Sequence, residues 1–283
     1  MSLDGLILLD KPPGHTSHEI TSFVKKITGA KRTGHAGTLD PDVSGVLPVA
    51  LGRATKLLRY IAGETKTYVG IIKFRKVQSK AQIEELFRAF TGELMQTPPK
   101  ISAVRKVPRQ RTVYHLKLLE ISETNPRLVL FEAKVGAGTY IRTLCEDIGK
   151  KCGGARMEEL RRIAVGNIHE NQTVAIQDVV DAIWLQKNKK DDSLLRKIIH
   201  RTEDFIELPK VIIKNSAIDS IRSGAQIAVP AVVRFESSVQ RLERVALFSE
   251  EKRFIGVGIT QMSSEEFGNV KKGIAIRLER VQI

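Results

Sequence analysis

Two periodicities trade places along the N-terminal part of the chain. GLILLDK (5–11) is a near-continuous apolar run of strand length and predicts a buried strand. Thr16 opens T-S-H-E, a capping box with Glu19. Ile20, Phe23, Val24 and Ile27 then recur at helical spacing, predicting a helix closed by Gly29. GHAGTLDP (34–41) reads as a polar loop, and residues 53–62 as a short helix. KTYVGIIKF (66–74) predicts a strand. Ser79 predicts the cap of a helix with Ile83, Leu86, Phe87 and Phe90 on its apolar face, stopping at Gly92. TVYHLKLLEI (112–121) and RLVLFEAKV (127–135) predict two antiparallel strands joined at Asn125-Pro126. GTYIRTLCEDIG (138–149) reads as a turn entering a helix, and further helices are expected over 156–164, 174–185 and 193–206. The texture changes near Pro209: VIIK, the helix NSAIDSIRSG, then QIAVP, VVRF, RVALFS, RFIGVGI and GIAIRLERV. Short strands with Gly and Pro punctuation predict a small β-barrel or sandwich. The expected division is therefore 1–206 and 210–283.

Charge adds a partner class to this outline. The chain has 283 residues, with 46 Lys+Arg against 32 Asp+Glu, a net charge of +14. Such an excess attracts polyanions, whereas a surface of ion-pair networks would balance its signs. The segment 99–117 carries Lys100, Arg105, Lys106, Arg109, Arg111 and Lys117 without an acid, and is expected to protrude toward an RNA phosphate backbone. No run approaches the length of apolar residues a membrane span needs, and no secretory leader precedes the first strand, so no membrane partner and a cytoplasmic protein are expected. Cys145 and Cys152 would share one side of a helix. Two thiols do not close a tetrahedral zinc site, and they read as free thiols in a reducing compartment.

Candidate chemistry centres on GHAGTLDP. Asp40 before Pro41 reads as a turn residue, as a metal ligand, or as a lone catalytic carboxylate. In the third reading, Gly34 and Gly37 let the backbone approach a bulky ligand and His35 hydrogen-bonds a phosphate or base edge. The segment lacks the Lys-Ser/Thr of a phosphate-binding loop, and GAGTYIR (136–142) lacks the third glycine of a dinucleotide fingerprint.

DGLILLDKPPGHTSHEI, KRTGHAGTLDPDVSGVLPVALGRATKLLRY, KTYVG, GTYIRTL and MEELRRIAVG together resemble, in colinear order, the pseudouridine synthases of the bacterial tRNA TruB type and its archaeal and eukaryotic dyskerin relatives. The tail from about 210 resembles a PUA domain, a small RNA-binding β-barrel. The resemblance implies an α+β fold, a mixed, largely antiparallel central sheet flanked by helices, with the C-terminal barrel attached. It implies isomerisation of uridine to pseudouridine with no cofactor and no metal. Asp40 would be the catalytic carboxylate, ionised in a dry pocket, and Arg142 its partner. Tyr68 would stack on the uracil and take part in proton transfer at C5. Leu160 would pack on the other face of the base, Arg161 and Arg162 would hold phosphates, His35 would keep the nucleotide extruded, and Lys11 and Pro12 would shape the pocket floor. The short Lys76–Ser79 connection and the segment SAVRKVPRQRTVYHLKLLEI are closer to the archaeal form. That form implies as partners the tRNA T-arm at position 55, an H/ACA guide RNA with rRNA, and small partner proteins. The competing class is a catalytically silent RNA-binding scaffold.

Overall fold

The computed structural model describes residues 3–61, 63, 65–99 and 105–282. Contacts divide it into two units, Met1–Gly52 with Ala62–His200, and Arg53–Ile61 with Arg201–Ile283. The short helical segment after Gly52 thus belongs with the C-terminal unit, where Arg59 Nη2 lies 2.8 Å from Glu279. The boundary expected at 206–210 did not anticipate this excursion, because a local pattern does not show which core a short helix joins.

The first unit is built on a ten-stranded, mostly antiparallel sheet. Its strands are β1 (Gly5–Lys11), β2 (Thr33–His35), β3 (Ser44–Leu51), β4 (Thr65–Phe74), β5 (Gly92–Gln96), β6 (Arg109–Ile121), β7 (Leu128–Gly136), β8 (Ala155–Val165), β9 (Ile168–His169) and β10 (Ile199–His200). The main order is β10-β1-β3-β8-β4-β7-β6-β5, with β2 on β3 and β9 on β8. The helices of the chain are α1 (Ser17–Thr28), α2 (Leu58–Ile61), α3 (Lys80–Ala89), α4 (Ile141–Lys151), α5 (Ile176–Lys189), α6 (Ser193–Ile198), α7 (Ile218–Arg222) and α8 (Ser264–Phe267). Ile20 and Val24 of α1 pack with Ile7, Leu47 and Val179 in one core. Ile83, Phe87, Ile141 and Leu144 from α3 and α4 pack with Tyr68, Ile72 and Phe131 in another. The predicted capping box of Thr16 with Glu19 forms, and the predicted cap Ser79 forms one with Gln82. Phe23 is the exception on the predicted α1 face, 41% exposed.

Four expectations change. Residues 156–164 form a strand, not a helix. Gly153 and Gly154 interrupt the chain at positive φ, and β8 then pairs along β4 and meets β3, so ladder bonds and burial override the helix-forming residues MEELRR. The helix expected over 193–206 ends at Ile198, where the chain turns into β10 against β1. β3 and β5 occupy stretches for which no element is expected. Arg109 and Arg111 lie on β6 rather than in a loop, paired with Gln96 and Leu94.

The second unit carries a six-stranded sheet of β11 (Lys210–Ile213), β12 (Ile227–Ala228), β13 (Val232–Phe235), β14 (Arg244–Ser249), β15 (Phe254–Thr260) and β16 (Ile274–Val281). Its order, β12-β16-β15-β14-β11-β13, is an open path, a curled half-barrel around Val211, Leu247, Ile255 and Ile276. Among the described residues no helix is long and apolar enough to cross a membrane.

Candidate active site

The G-H-A-G-T-L-D-P loop runs from β2 toward β3 and is fastened from several sides. Leu39 and Val43 flank Asp40 and are buried in the core shared with Tyr68. Ser17 accepts the Leu39 N–H at 2.8 Å, and its hydroxyl donates to the Leu39 carbonyl at 3.1 Å. Asp40 opens a turn, its carbonyl accepting the Val43 N–H at 3.1 Å. Lys11 is fully buried, and its ammonium donates to the carbonyls of Pro12, Pro41 and Val43 at 2.8–2.9 Å. Lys11 is therefore a tie beneath the loop. Burial pulls its pKa below the usual lysine value, and Asp42 and Asp40 oppose that pull.

The Asp40 carboxylate meets Arg142, Nη2 to Oδ2 3.0 Å, across 102 residues of sequence. Arg142 is the second residue of α4. The start of that helix is fixed by Gln96 at the end of β5: its amide donates to the Tyr140 carbonyl at 3.3 Å and accepts the Tyr140 N–H at 3.0 Å. Gln96 is 2% exposed, and its role has no local signature in the sequence. The Asp40 side chain is 47% exposed and that of Arg142 35%, so the expected dry pocket is an open site in the free protein. Yet Arg142 Nε is buried with no hydrogen-bond partner among the described residues.

The ladder between β4 and β8 sets the rest. Tyr68 pairs with Arg162, Gly70 with Leu160 and Val69 with Arg161. Alternation then puts Tyr68, Leu160 and Arg162 on one face and Arg161 on the other. Leu160 Cδ1 would lie 2.8 Å from a Cβ on Gly70, so the glycine makes room for it beside Tyr68. Arg161 is taken up by Asp10, with two bonds at 2.9 and 3.0 Å, and by Glu170 at 2.9 Å. This corrects its expected part in holding phosphates. Arg162 is 1% exposed and pairs with Tyr68 across the ladder. Its Nε donates to the Val46 carbonyl at 2.8 Å and its Nη2 to the Gly37 carbonyl at 2.9 Å. The close approach that Gly37 permits, at φ 80°, is thus to Arg162: a Cβ there would lie 3.2 Å from Nη1. Gly34 is an ordinary strand residue opposite Ala50.

His35 is half-buried, with Nδ1 3.1 Å from the Thr21 hydroxyl and Nε2 3.2 Å from the Thr38 hydroxyl. Burial, then the Arg162 guanidinium and His18, hold its pKa below 6.5, so the ring is neutral near pH 7. Lys66, on the same strand face as Tyr68, was not singled out by the sequence. It is 8% exposed, donates to the Gly63 carbonyl at 3.0 Å, and its pKa is lowered to about 8 by burial and by Arg162. Lys11, Lys66 and Arg162 are three buried cations whose hydrogen bonds go to backbone carbonyls. They make the ground beneath the loop around Gly37 electropositive, and the Lys11 charge is felt by Asp40. Of the basic segment, Arg105, Lys106 and Arg109 are exposed, Arg111 is half-buried, and Lys100 lies outside the described residues.

The TruB family pseudouridylate synthase N-terminal domain matches residues 25–82, the tRNA pseudouridylate synthase B C-terminal domain matches 142–207, and a PUA domain matches 209–282. A probable tRNA pseudouridine synthase B of Pyrobaculum islandicum is 42% identical, covering 98% of this chain and 84% of that protein. The Archaeoglobus fulgidus protein of the same name is 40% identical over 99% and 86%. The H/ACA ribonucleoprotein complex subunit CBF5 of Emericella nidulans is 40% identical over 98% of this chain and 58% of its own. Among solved structures, a Cbf5-Nop10-Gar1 complex aligns with a TM-score of 0.90 at 40% identity, covering 98% of this chain and 84% of the matched one. An H/ACA RNP bound to a substrate RNA containing 2′-deoxyuridine aligns at 0.89 and 38%, covering 98% and 84%. With the loop, the paired carboxylate and these likenesses in view, the chain belongs to the TruB family of pseudouridylate synthases, isomerases, and carries a PUA domain at its C-terminal end.

Proposed function

We propose that this protein isomerises uridine to pseudouridine in RNA, at position 55 in the T-arm of tRNA and, with a guide RNA and small H/ACA partner proteins, in rRNA. The observation that carries the reading is the ion pair between Asp40 and Arg142, whose chain neighbours Leu39 and Ile141 belong to the core that holds Tyr68 and Leu160. In this reading the target base is flipped from its stack at a cost of a few kcal/mol and enters beside Tyr68 and Leu160, whose apolar surfaces repay the lost stacking. The N1–C1′ bond breaks, the base turns, and a C5–C1′ bond forms. One proton leaves C5 and one returns to N1, so atoms and oxidation state balance without a cofactor. Asp40 acts as the carboxylate, on a carbon or on a sugar proton, and the Tyr68 hydroxyl serves the C5 proton. Substrate covering the open site excludes water, which strengthens the contact between Arg142 and Asp40.

The buried Lys11 ammonium favours the same anion. His35, tied to Thr21 and Thr38, supports the loop against the extruded nucleotide. Arg105, Lys106, Arg109 and Arg111 contact the RNA backbone, and Lys100 belongs to the same basic run. The names of the relatives support both RNA classes: tRNA for the archaeal proteins, and an H/ACA ribonucleoprotein for CBF5. A cytoplasmic residence accords with this substrate. The test is purified protein with unmodified tRNA, with and without guide RNA and partner proteins, scored for pseudouridine. Asp40→Asn is expected to abolish product while retaining RNA affinity within about threefold. Full turnover by that variant refutes the assignment.

A further inference from the structure

Far along the two central strands from Tyr68 lies a second basic site. The ends of β4 and β8 and the turn before β7 converge there around a cavity of about 380 Å³, lined by Lys73, Phe74, Arg75, Arg127, Gly154, Ala155 and Arg156. Backbone bonds clamp the three segments together: the Arg75 N–H donates to the Gly154 carbonyl and the Phe74 N–H to the Arg127 carbonyl, both at 2.8 Å. Four of the seven lining residues are cations. Glu158 engages Lys73 at 3.2 Å and Arg156 at 3.0 Å. Arg75 and Arg127 are exposed and have no acidic partner among the described residues.

We propose that this cavity is a phosphate-binding subsite that holds the RNA backbone at a distance from the target uridine. The proposal rests on RNA being the substrate and adds where a remote part of it is gripped. Two unpaired arginines on a clamped backbone match the bidentate geometry of phosphodiester oxygens. Phe74, at the floor, is 1% exposed, so no aromatic face is offered to a base. The contact is therefore to the backbone and insensitive to sequence. At ~3.3 Å per strand residue, Arg75 stands roughly 23 Å from Tyr68 along β4. At ~3.4 Å per nucleotide, that is the reach of about seven stacked nucleotides. Short RNAs centred on the target do not reach it, and a whole tRNA or guide–target assembly does.

The test uses the full chain, with Arg75→Glu and Arg127→Glu singly and together, and Arg88→Glu on the exposed side of α3 as a control for net charge. Affinity is measured for unmodified tRNA and for an RNA with three nucleotides on either side of the uridine, across a salt series. The expected result for the double variant is at least tenfold weaker tRNA binding. Its log affinity–log salt slope should be shallower by about two, one per lost phosphate contact. Short-RNA binding and pseudouridine formation on the short RNA should be unchanged, with Arg88→Glu near wild type. A double variant equal to wild type on tRNA overturns the subsite, and so does a loss matched by Arg88→Glu. An unchanged RNA affinity with loss of an acidic protein partner also overturns it. Failure of the wild type to bind RNA sinks the RNA reading itself, and is read separately from the variants.

Discussion

Lys66 shows what a single buried group does beneath the loop at Gly37. Its pKa falls from 10.5 to about 8 because water is replaced by protein and because Arg162 stands beside it. Below about pH 8 both folded and unfolded chains hold the proton, so the full cost of burying the charge is present. Between about 8 and 10.5 the folded chain has released its proton while the unfolded chain still binds one, and stability rises with pH. That cost is on the order of 3 kcal/mol, offset in part by the bond to Gly63. Lys66→Met is therefore expected to stabilise the protein by about 1–2 kcal/mol at pH 7. The gain should fade as pH approaches 10.5, as read from urea unfolding of both proteins across that range. A gain that stays constant with pH contradicts the assignment. Arg161 and Arg162 make a second point at this scale. Neighbours in sequence, they face opposite ways, one spent on Asp10 and Glu170 and the other buried against Tyr68.

At the scale of elements, the site depends on two junctions. β5 and α4 are joined through Gln96 and the backbone of Tyr140. Gln96→Leu removes both of those bonds, while the Tyr140 carbonyl keeps the Leu144 N–H, and the expected cost is about 1–3 kcal/mol. Because Arg142 follows Tyr140 by two residues, the pseudouridine rate should fall while RNA affinity holds. An unchanged rate would show that Arg142 is placed by other means. β3 and β8 are joined in parallel at Gly45 and Arg162. Gly45 has φ 105°, and a Cβ there would stand 2.1 Å from the Arg162 carbonyl oxygen. Gly45→Ala is expected to cost at least about 3 kcal/mol, visible as a large drop in melting temperature. A change below about 1 kcal/mol would mean the sheet opens there freely.

At the scale of the whole molecule, the charge of +14 sets how the protein meets its substrate. Phosphate contacts release counterions, so tRNA affinity is expected to fall by about 10³ or more between ~50 and ~200 mM salt. A response of tenfold or less over that range contradicts a phosphate-dominated interface. Basic side chains are spread over the segment around Arg105–Arg111 and the cavity at Arg75 and Arg127, so no one contact carries the whole dependence.

Local patterns in the sequence determined the caps of α1 and α3, the strands β1, β4, β6 and β7, and the strand-rich C-terminal region. Each of these depends on neighbours a few residues apart. The loop motif also marked Asp40, and the motif set suggested Tyr68 and Arg142 beside it. What only the tertiary structure decided is which groups meet. β8 reads locally as a helix because its residues favour one, and it became a strand because β3 and β4 supply a ladder and a core on either side. That change of period turned Arg161 away and brought Arg162 in. In the same way, Lys11 became a tie for three carbonyls, Gln96 an anchor for α4, and Lys66 a buried cation. Burial and long-range hydrogen bonds are properties of the packed chain, and a string of residues does not encode them at short range.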